Sequence, residues 1–279
     1  MAYESVVGIL MMIVNGLVTW QGLTRPDYFE KYKFNVDGIL VYRERIRLIS
    51  SGFLHVNWIH FAFNMIALMS FAPSLERLFT VPGLLLLYFA SLLGGNLLAL
   101  YIHRNHGDYS AVGASGAVSG VVLASIVLFP DNEIGLILIP IHFPAWILGI
   151  LFVLISIFGI KNQSGNIGHE AHLGGALTGI IGTLLIDHSR VFENWWIFLL
   201  LLLPTLAFLI LIVRNPAVLY MDNYWGETWE ELKKGTREPK DSPLTREEEL
   251  NRILDKIREK GFKSLTRKER DRLKDLRDL

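Results

Sequence analysis

The chain of 279 residues contains no cysteine, and charged residues are scarce through its middle. Without cysteine, disulfide bonds, thiolate zinc sites and a cysteine nucleophile are all excluded. The 27 basic residues balance the 27 acidic ones, so the net charge gives no support to nucleic-acid binding. Few charges lie between Ile49 and Ile212, whereas the segment after Arg214 is rich in them. This division predicts a membrane domain followed by a soluble tail.

Apolar stretches fill most of the first 213 residues, and 51% of the whole chain is hydrophobic. A helix that crosses a bilayer core needs about 20 predominantly apolar residues. The first stretch lacks a basic leader and a small-residue cleavage site, so it predicts a retained helix and not a signal peptide. We therefore expect an all-α, polytopic transmembrane helical bundle, with the short run 134–140 lying at the interface or extending the fifth span. The seven predicted spans are 6–20, 53–71, 81–102, 112–129, 143–160, 167–186 and 195–213.

A few polar side chains interrupt these spans. The second carries His55, His60 and Asn64, the fourth carries Ser115, and the sixth carries His172. Such groups cost several kcal/mol inside a bilayer unless they face a partner or a wet cavity. His60 and Asn64 are four residues apart and share one helix face, whereas His55 points elsewhere or lies in the preceding loop. An isolated serine in a span usually hydrogen-bonds the backbone of its own helix. The occurrence of all these polar residues together is therefore what indicates a site.

Glycines surround the polar residues of the fourth and sixth spans. Gly113 and Gly116 flank Ser115, and Gly175 and Gly179 follow His172. Small residues at four-residue spacing let two helix backbones approach closely. We expect these two helices to touch and to bring the serine hydroxyl within hydrogen-bond reach of the histidine ring. Ordinary helix packing would use the same glycines.

The polar residues form a chemically sensible set. A serine hydroxyl becomes a nucleophile when a neighbouring base takes its proton, and Ser115 with His172 supplies that pair. The oxyanion of acyl transfer needs preorganised donors. His60, Asn64 and the Ser115 N–H at the start of its helix can provide them. Glu170 is too close in sequence to share a helix face with His172, so we predict a Ser-His dyad without metal or cofactor.

The second and fourth spans resemble those of rhomboid intramembrane proteases. In that family the second transmembrane helix carries two histidines and an asparagine, spaced as His55, His60 and Asn64 are. The fourth helix opens with G-x-S-G, which is present here as residues 113–116.

The sixth span completes the resemblance. The family's A-H-x-x-G-x-x-x-G pattern is matched by Ala171, His172, Gly175 and Gly179. All three motifs follow in the family's order on the expected spans, and together they are very specific.

The resemblance implies a bacterial-type rhomboid protease with a six-helix core plus one helix, in a bacterial plasma membrane. Ser115 and His172 would form the dyad, with His60, Asn64 and the Ser115 N–H as the oxyanion hole and His55 as a structural residue. The substrates would be transmembrane segments of other proteins, which enter laterally from the bilayer.

Three positions outside the motifs also bear on the resemblance. Glu76 matches a recurrent family acid, whereas Ile46 precedes Arg47 where many members have tryptophan. Some members have a tyrosine that stacks on the catalytic histidine, and Ser119 occupies that position here. Another group must therefore orient His172.

The chain divides into a protease domain (1–213), a linker (214–244) and a tail (245–279). The tail has two capping boxes, Thr245 with Glu248 and Thr266 with Glu269. We predict a small soluble helical hairpin that docks on the membrane domain, binds a protein partner or stays inert. Its apolar positions are Leu250, Ile253, Leu254, Ile257, Leu265, Leu273 and Leu276.

Two arguments about orientation disagree. Bacterial rhomboids have a cytoplasmic N-terminus and a site that opens outward, so seven spans would place the tail outside. The positive-inside rule favours the opposite, because the basic residues of the first loop and of the tail lie on one side. We expect the family orientation.

Other functions fit part of the pattern. A transporter or channel would use the intramembrane histidines and Asn64 as an ion or proton path, but it would not need Ser115 at a glycine-flanked helix start. A metal-dependent hydrolase would use His55, His60, His169 and His172, but the H-E-x-x-H spacing is absent. An inactive rhomboid-like binding protein would not require both dyad residues.

Overall fold

The computed structural model describes residues 4–136, 139–161 and 168–214, together with Ile253, residues 255–257, Leu265, Thr266, Glu269 and Leu273. The first three ranges form the membrane domain and the remaining residues belong to the tail. In the first three ranges the chain forms ten α-helices and four short strands. The helices are α1 (Val6–Thr24), α2 (Pro26–Tyr32), α3 (Val36–Leu40), α4 (Arg47–Ser50), α5 (Trp58–His103), α6 (Ser115–Leu128), α7 (Ala145–Lys161), α8 (His169–Ile186), α9 (His188–Glu193) and α10 (Trp195–Arg214).

The helix α5 contains both the second and the third predicted spans. Its helical backbone is broken at Thr80, whose φ of 62° lies in the left-handed region, and Pro82 follows two residues later. A proline inside a helix cannot donate its hydrogen bond and clashes with the preceding turn, so the chain changes direction there. The two halves, 58–79 and 81–103, therefore act as separate helices.

Helices cover most of each of the seven predicted spans in the described residues, and the number of membrane crossings stays a prediction. Three elements, α1, α5 and α10, are long and apolar enough to cross a membrane by length and composition, and α6 and α7 are shorter apolar helices. Many large apolar side chains on these helices are exposed, including Leu185 and Leu86. An exposed apolar surface of this extent is typical of helices that contact lipid. The all-α membrane bundle is confirmed.

The centre of the bundle is α6, in which every residue from Gly116 to Leu128 is buried. A helix that is apolar on all sides requires neighbours on all sides. Glycines allow those neighbours to approach. A Cβ atom on Gly174 of α8 would lie 2.8 Å from the Gly94 carbonyl oxygen of α5, and one on Gly179 would lie 2.5 Å from Gly120 Cα of α6.

The run 134–140 does not extend the fifth helix. It contributes to an antiparallel hairpin of β3 (Glu133–Leu136) and β4 (Ile139–Pro144), and α7 begins only at Ala145. β-branched isoleucines favour strands, and Pro144 stands at the start of the following helix, where its missing N–H is tolerated. A second small sheet pairs β1 (Phe34–Asn35) with β2 (Ser110–Ala111), which ties the first loop to the loop before α6.

The start of α1 is fixed by a buried carboxylate. Glu76 of α5 accepts hydrogen bonds from Ser5 Oγ at 2.5 Å, from Val6 N at 3.0 Å and from Val7 N at 2.9 Å. These backbone donors have no acceptor within the helix, and the helix dipole also favours a negative charge there. The family acid noted in the sequence therefore joins α1 to the first half of α5.

The last helix ends on the same side of the bundle as Ser115. It begins beside the far end of α6, where Asn194 Nδ2 donates to the Leu128 carbonyl oxygen at 3.4 Å, and Trp196 contacts Trp146 at the start of α7. Twenty residues of helix span about 30 Å, the thickness of a bilayer core. Arg214 consequently lies at the side of the bundle where α6 and α8 begin.

The tail forms a separate unit, residues 224–279. In its described part, Thr266 and Glu269 form the predicted capping box: Thr266 N and Oγ1 both donate to Glu269 Oε2 at 2.8 Å, and Glu269 N donates to Thr266 Oγ1 at 3.3 Å. Lys256 Nζ contacts the same carboxylate at 2.8 Å, and together these groups lower the pKa of Glu269 to about 2. The other predicted capping box, Thr245 with Glu248, lies outside the described residues.

Candidate active site

Ser115 is the first residue of the central helix α6, and the turn before it has an unusual backbone. Gly113 has φ +136°, a conformation that residues with a side chain rarely adopt, and its N–H donates to the Ser51 carbonyl oxygen at 3.0 Å. The start of α6 has no side-chain cap, so the first N–H groups of the helix have no helical acceptor. Ser115 is half-buried. The predicted nucleophile thus lies at a helix start with free backbone donors beside it.

His60 of α5 and Ser115 converge on Gly113. A Cβ atom at Gly113 would lie 2.7 Å from His60 Cε1 and 3.7 Å from Ser115 Oγ. The glycine is needed here because a side chain would occupy the space between the two residues. His60 Nδ1 is buried without a hydrogen-bond partner among the described residues. This places His60 beside the predicted nucleophile.

Asn64 is buried one turn after His60, with 6% of its surface exposed. Its Nδ2 donates to the His60 carbonyl oxygen at 2.9 Å, within its own helix. A primary amide has a second N–H, which this bond leaves available. The shared face of His60 and Asn64 is as the spacing indicates, and the role of both as oxyanion donors stays a prediction.

His55 is fully buried in the loop before α5 and bridges two elements. Its Nε2 accepts from Ala114 N at 3.4 Å, and its Nδ1 lies 2.8 Å from Thr19 Oγ1 of α1. Because Nε2 is the acceptor, Nδ1 carries the proton and donates to Thr19, whose hydroxyl donates onward to the Phe53 carbonyl oxygen at 3.3 Å. The ring also packs edge-on against His60, with centroids 5.0 Å apart. His55 therefore contacts the residue that precedes Ser115, and the structural role that the resemblance implies for it stays a prediction.

The two helix starts that carry Ser115 and His172 are in backbone contact. A Cβ atom on Gly175 would overlap the Gly116 carbonyl oxygen, and one on Gly116 would lie 3.3 Å from the Ala171 carbonyl oxygen. The predicted approach of these helices through their glycines is therefore present. The hydrogen bonds among the described residues do not include one between Ser115 Oγ and the His172 ring, so the dyad itself stays a prediction.

The His172 ring has aromatic neighbours that the sequence did not reveal. Phe152 of α7 lies with its centroid 6.0 Å from that of His172 and its plane at 33°, and His169 packs edge-on at 5.9 Å. Ser119, which stands where some rhomboids have tyrosine, donates to the Ser115 carbonyl oxygen at 2.6 Å instead. Phe152 thus lies beside the ring of the predicted base. In the sequence it is one apolar residue among many in α7, with no signal to distinguish it.

Glu170, which the sequence places off the His172 face of the helix, has partners of its own. Its carboxylate lies 3.1 Å from His103 Nε2 at the end of α5, and His103 stacks on Tyr109 with centroids 3.6 Å apart and planes at 7°. Burial raises the pKa of Tyr109, and Glu170 raises it further through its charge and a hydrogen bond. Glu170 therefore points away from His172, as its position on the helix predicts.

Comparison with known proteins places this arrangement in a family. The Rhomboid domain matches residues 42–189, which include the proposed dyad, and a family of unknown function matches residues 243–277 of the tail. RHOMBOID-like protein 12, mitochondrial, of Arabidopsis thaliana is 31% identical over 67% of this chain and 60% of its own length. Rhomboid protein 1, mitochondrial, of Saccharomyces cerevisiae is 32% identical over 49% of this chain and 40% of its own.

A bacterial relative is also similar. Putative rhomboid protease YdcA of Bacillus subtilis is 34% identical over 52% of this chain and 68% of its own length. The chain therefore spans less than two thirds of the plant and yeast relatives and slightly more of the bacterial one. The domain match covers more than half of the chain and includes all three motifs. The protein belongs to the rhomboid family.

Proposed function

We propose that this protein is an intramembrane serine endopeptidase that cleaves transmembrane segments of other membrane proteins. Ser115 attacks the scissile carbonyl carbon, and His172 accepts the hydroxyl proton and returns it to the leaving amine. His60, the second N–H of Asn64 and the Ser115 N–H stabilise the oxyanion. A water molecule, activated by the same histidine, then hydrolyses the acyl-enzyme.

The observation that carries this proposal is the contact between the starts of α6 and α8. At Gly175 a side chain would overlap the Gly116 backbone and separate the helices, and at Gly116 a side chain would crowd the Ala171 carbonyl oxygen. Ordinary packing would account for close helices anywhere along their length. It would not account for the position of His60, which lies on another helix, α5, and is beside Gly113 at the same end of the bundle.

The membrane location follows from the family and from the apolar helices, but the compartment does not. The relatives include mitochondrial proteins of a plant and a yeast as well as a protein of Bacillus subtilis. A bacterial plasma membrane is the location that the sequence resemblance implies, and it is retained here as part of the proposal.

The proposal is tested by cleavage of a reporter transmembrane segment in liposomes that contain the purified full chain. We expect cleavage by the wild type and none by Ser115→Ala or His172→Ala. Ser119→Ala is the matched control, because this serine lies one turn further along the same helix. We expect the Ser119→Ala variant to retain activity. Cleavage that persists in Ser115→Ala would refute the assigned nucleophile.

A further inference from the structure

A cluster of polar aromatic and charged side chains lies outside the proposed dyad, at the same end of the bundle. It consists of His103, Tyr109 and Glu170, which come from the end of α5, the loop before β2 and the first turn of α8. Glu170 Oε1 is 3.1 Å from His103 Nε2, and His103 lies flat on Tyr109 at 3.6 Å. Glu170 and His103 have side-chain exposures of only 12% and 19%. The cluster is thus largely shielded from solvent.

The chemistry of the three groups is complementary. The Tyr109 hydroxyl bonds Glu170, and burial beside that carboxylate raises the pKa of the tyrosine, so the phenol stays neutral and donates. The carboxylate also lies at the N-terminal end of α8, where the helix dipole stabilises a negative charge. Tyr109 packs edge-on against buried Phe34 with centroids 6.1 Å apart. Glu170 therefore holds Tyr109, and Tyr109 is fixed from its other side.

Tyr109 and Glu170 are each close in sequence to a residue of the proposed dyad. Tyr109 precedes Ser115 by six residues, with β2 and Gly113 between them. Its carbonyl oxygen accepts from Val36 N at 3.2 Å, so the segment is anchored on the start of α3, directly after β1. Glu170 precedes His172 by two residues within one rigid helix.

We infer that His103, Tyr109 and Glu170 are positioning residues, which set the distance and angle between the segment carrying Ser115 and the helix start carrying His172. The cluster connects the segment before α6 to the first turn of α8, on the side of the Gly116–Gly175 contact where these two helices begin. This inference rests on the proposed function. No hydrogen bond or ring contact among the described residues joins the cluster to Ser115 or His172, so we assign its positioning effect to the backbone.

The test uses the purified full chain with three substitutions. Glu170→Gln keeps the shape and removes the charge, Tyr109→Phe keeps the ring stack and removes the hydroxyl, and the third variant combines both. Reporter cleavage gives kcat and KM, and a fluorophosphonate probe gives the rate and the end-point of serine labelling. We expect each single variant to lower kcat about tenfold with KM changed less than twofold, because small errors in placement are costly in rate.

The end-point distinguishes positioning from a loss of folded protein. We expect every variant to reach the wild-type extent of labelling, at a slower rate, and the double variant to be no slower than the slower single variant. A lower end-point with a normal rate for the labelled fraction would overturn the inference, as would kcat values within twofold of the wild type. Asp187→Asn is the matched control, since its carboxylate pairs with Arg190 at the far end of α8.

The proposed function and the positioning inference fail separately. If the wild type neither cleaves the reporter nor reacts with the probe, the protease proposal fails. If the wild type is active and Ser115→Ala is not, while the cluster variants match the wild type, only the positioning inference fails.

Discussion

Hydrogen bonds fix the direction of single side chains around Ser115. His55 is the best example, because its two ring nitrogens have different partners: the Ala114 N–H and the Thr19 hydroxyl. The ring must stay neutral to accept from Ala114, and its remaining N–H requires an acceptor. A threonine on α1 thereby supports the backbone of the residue that precedes the proposed nucleophile.

Removing the Thr19 hydroxyl should expose this dependence. Thr19→Val leaves the buried His55 N–H without an acceptor, which costs about 1–3 kcal/mol. We expect a lower melting temperature in detergent and slower fluorophosphonate labelling. Thr24→Val on the same helix is the control, because the exposed Thr24 hydroxyl bonds only the carbonyl oxygens of its own helix. Equal melting temperatures for the two variants would contradict the role given to His55.

Gly113 should tolerate no side chain. Gly113→Ala combines an unfavourable φ with a Cβ atom 2.7 Å from His60 Cε1, so His60 and Ser115 must move apart. We predict a fall of roughly 100-fold in kcat, because such a displacement misplaces the reacting groups. Gly16→Ala, whose Cβ would make an ordinary 3.5 Å contact with Phe61, should retain activity in the same cleavage assay. A Gly113→Ala enzyme with wild-type kcat would show that His60 does not need its present position.

The sequence singles out candidate site residues more readily than their surroundings, although their roles stay predictions. His60, Asn64, Ser115 and His172 could be identified because a polar group is costly in an apolar span and the exception is visible. Phe152 could not be identified, since an apolar residue in an apolar helix carries no such signal.

At the scale of elements, glycine decides which helices meet. α6 is held against α8 through Gly116 with Gly175 and through Gly120 with Gly179, where backbone faces backbone. Backbone atoms cannot rotate away as side-chain ends can. The four-residue spacing in the sequence was enough to predict this contact.

Alanine substitutions along α8 should therefore have unequal effects. In Gly175→Ala the new methyl group overlaps the Gly116 carbonyl oxygen, so the helices must separate and both activity and melting temperature should fall. In Gly182→Ala the methyl meets Leu87 Cδ1 at 2.9 Å, the end of a side chain that can turn aside. We expect Gly175→Ala to be destabilised by about 1–3 kcal/mol, the usual range for overpacking, and Gly182→Ala by clearly less. The reverse order would refute the glycine contact.

Other elements could not be read from the sequence. The strands β1 and β2 have two residues each, too few for any periodicity, and they pair across some 75 residues of chain. The hairpin of β3 and β4 lies within an apolar run that also fits a helix. The break at Thr80 was foreseen only as a boundary between two spans. Local patterns cannot indicate pairings that depend on distant parts of the chain.

The two ends of the helical bundle differ, which gives the molecule a polarity. Arg214, the last residue of α10, lies at the end where α6 and α8 begin. The family resemblance implies a cytoplasmic N-terminus and a site that opens outward, and this orientation stays a prediction. In that orientation the basic residues of the tail would not follow the positive-inside rule.

The absence of native cysteine allows this polarity to be measured. Single variants Asn105→Cys, Arg214→Cys and Asp131→Cys place one thiol each at exposed positions. With a membrane-impermeant maleimide on vesicles of one orientation, we expect the first two to react from the same side and Asp131→Cys from the other. Labelling of Arg214→Cys together with Asp131→Cys would contradict the arrangement of the seven helices.

The most direct test of the central claim is to locate the fluorophosphonate adduct by mass spectrometry of the purified, digested protein. The predicted result is a single adduct on Ser115 in the wild type, absent from Ser115→Ala and strongly reduced in His172→Ala. An adduct on another residue, or labelling of Ser115 that is unaffected by His172→Ala, would contradict a Ser115–His172 dyad.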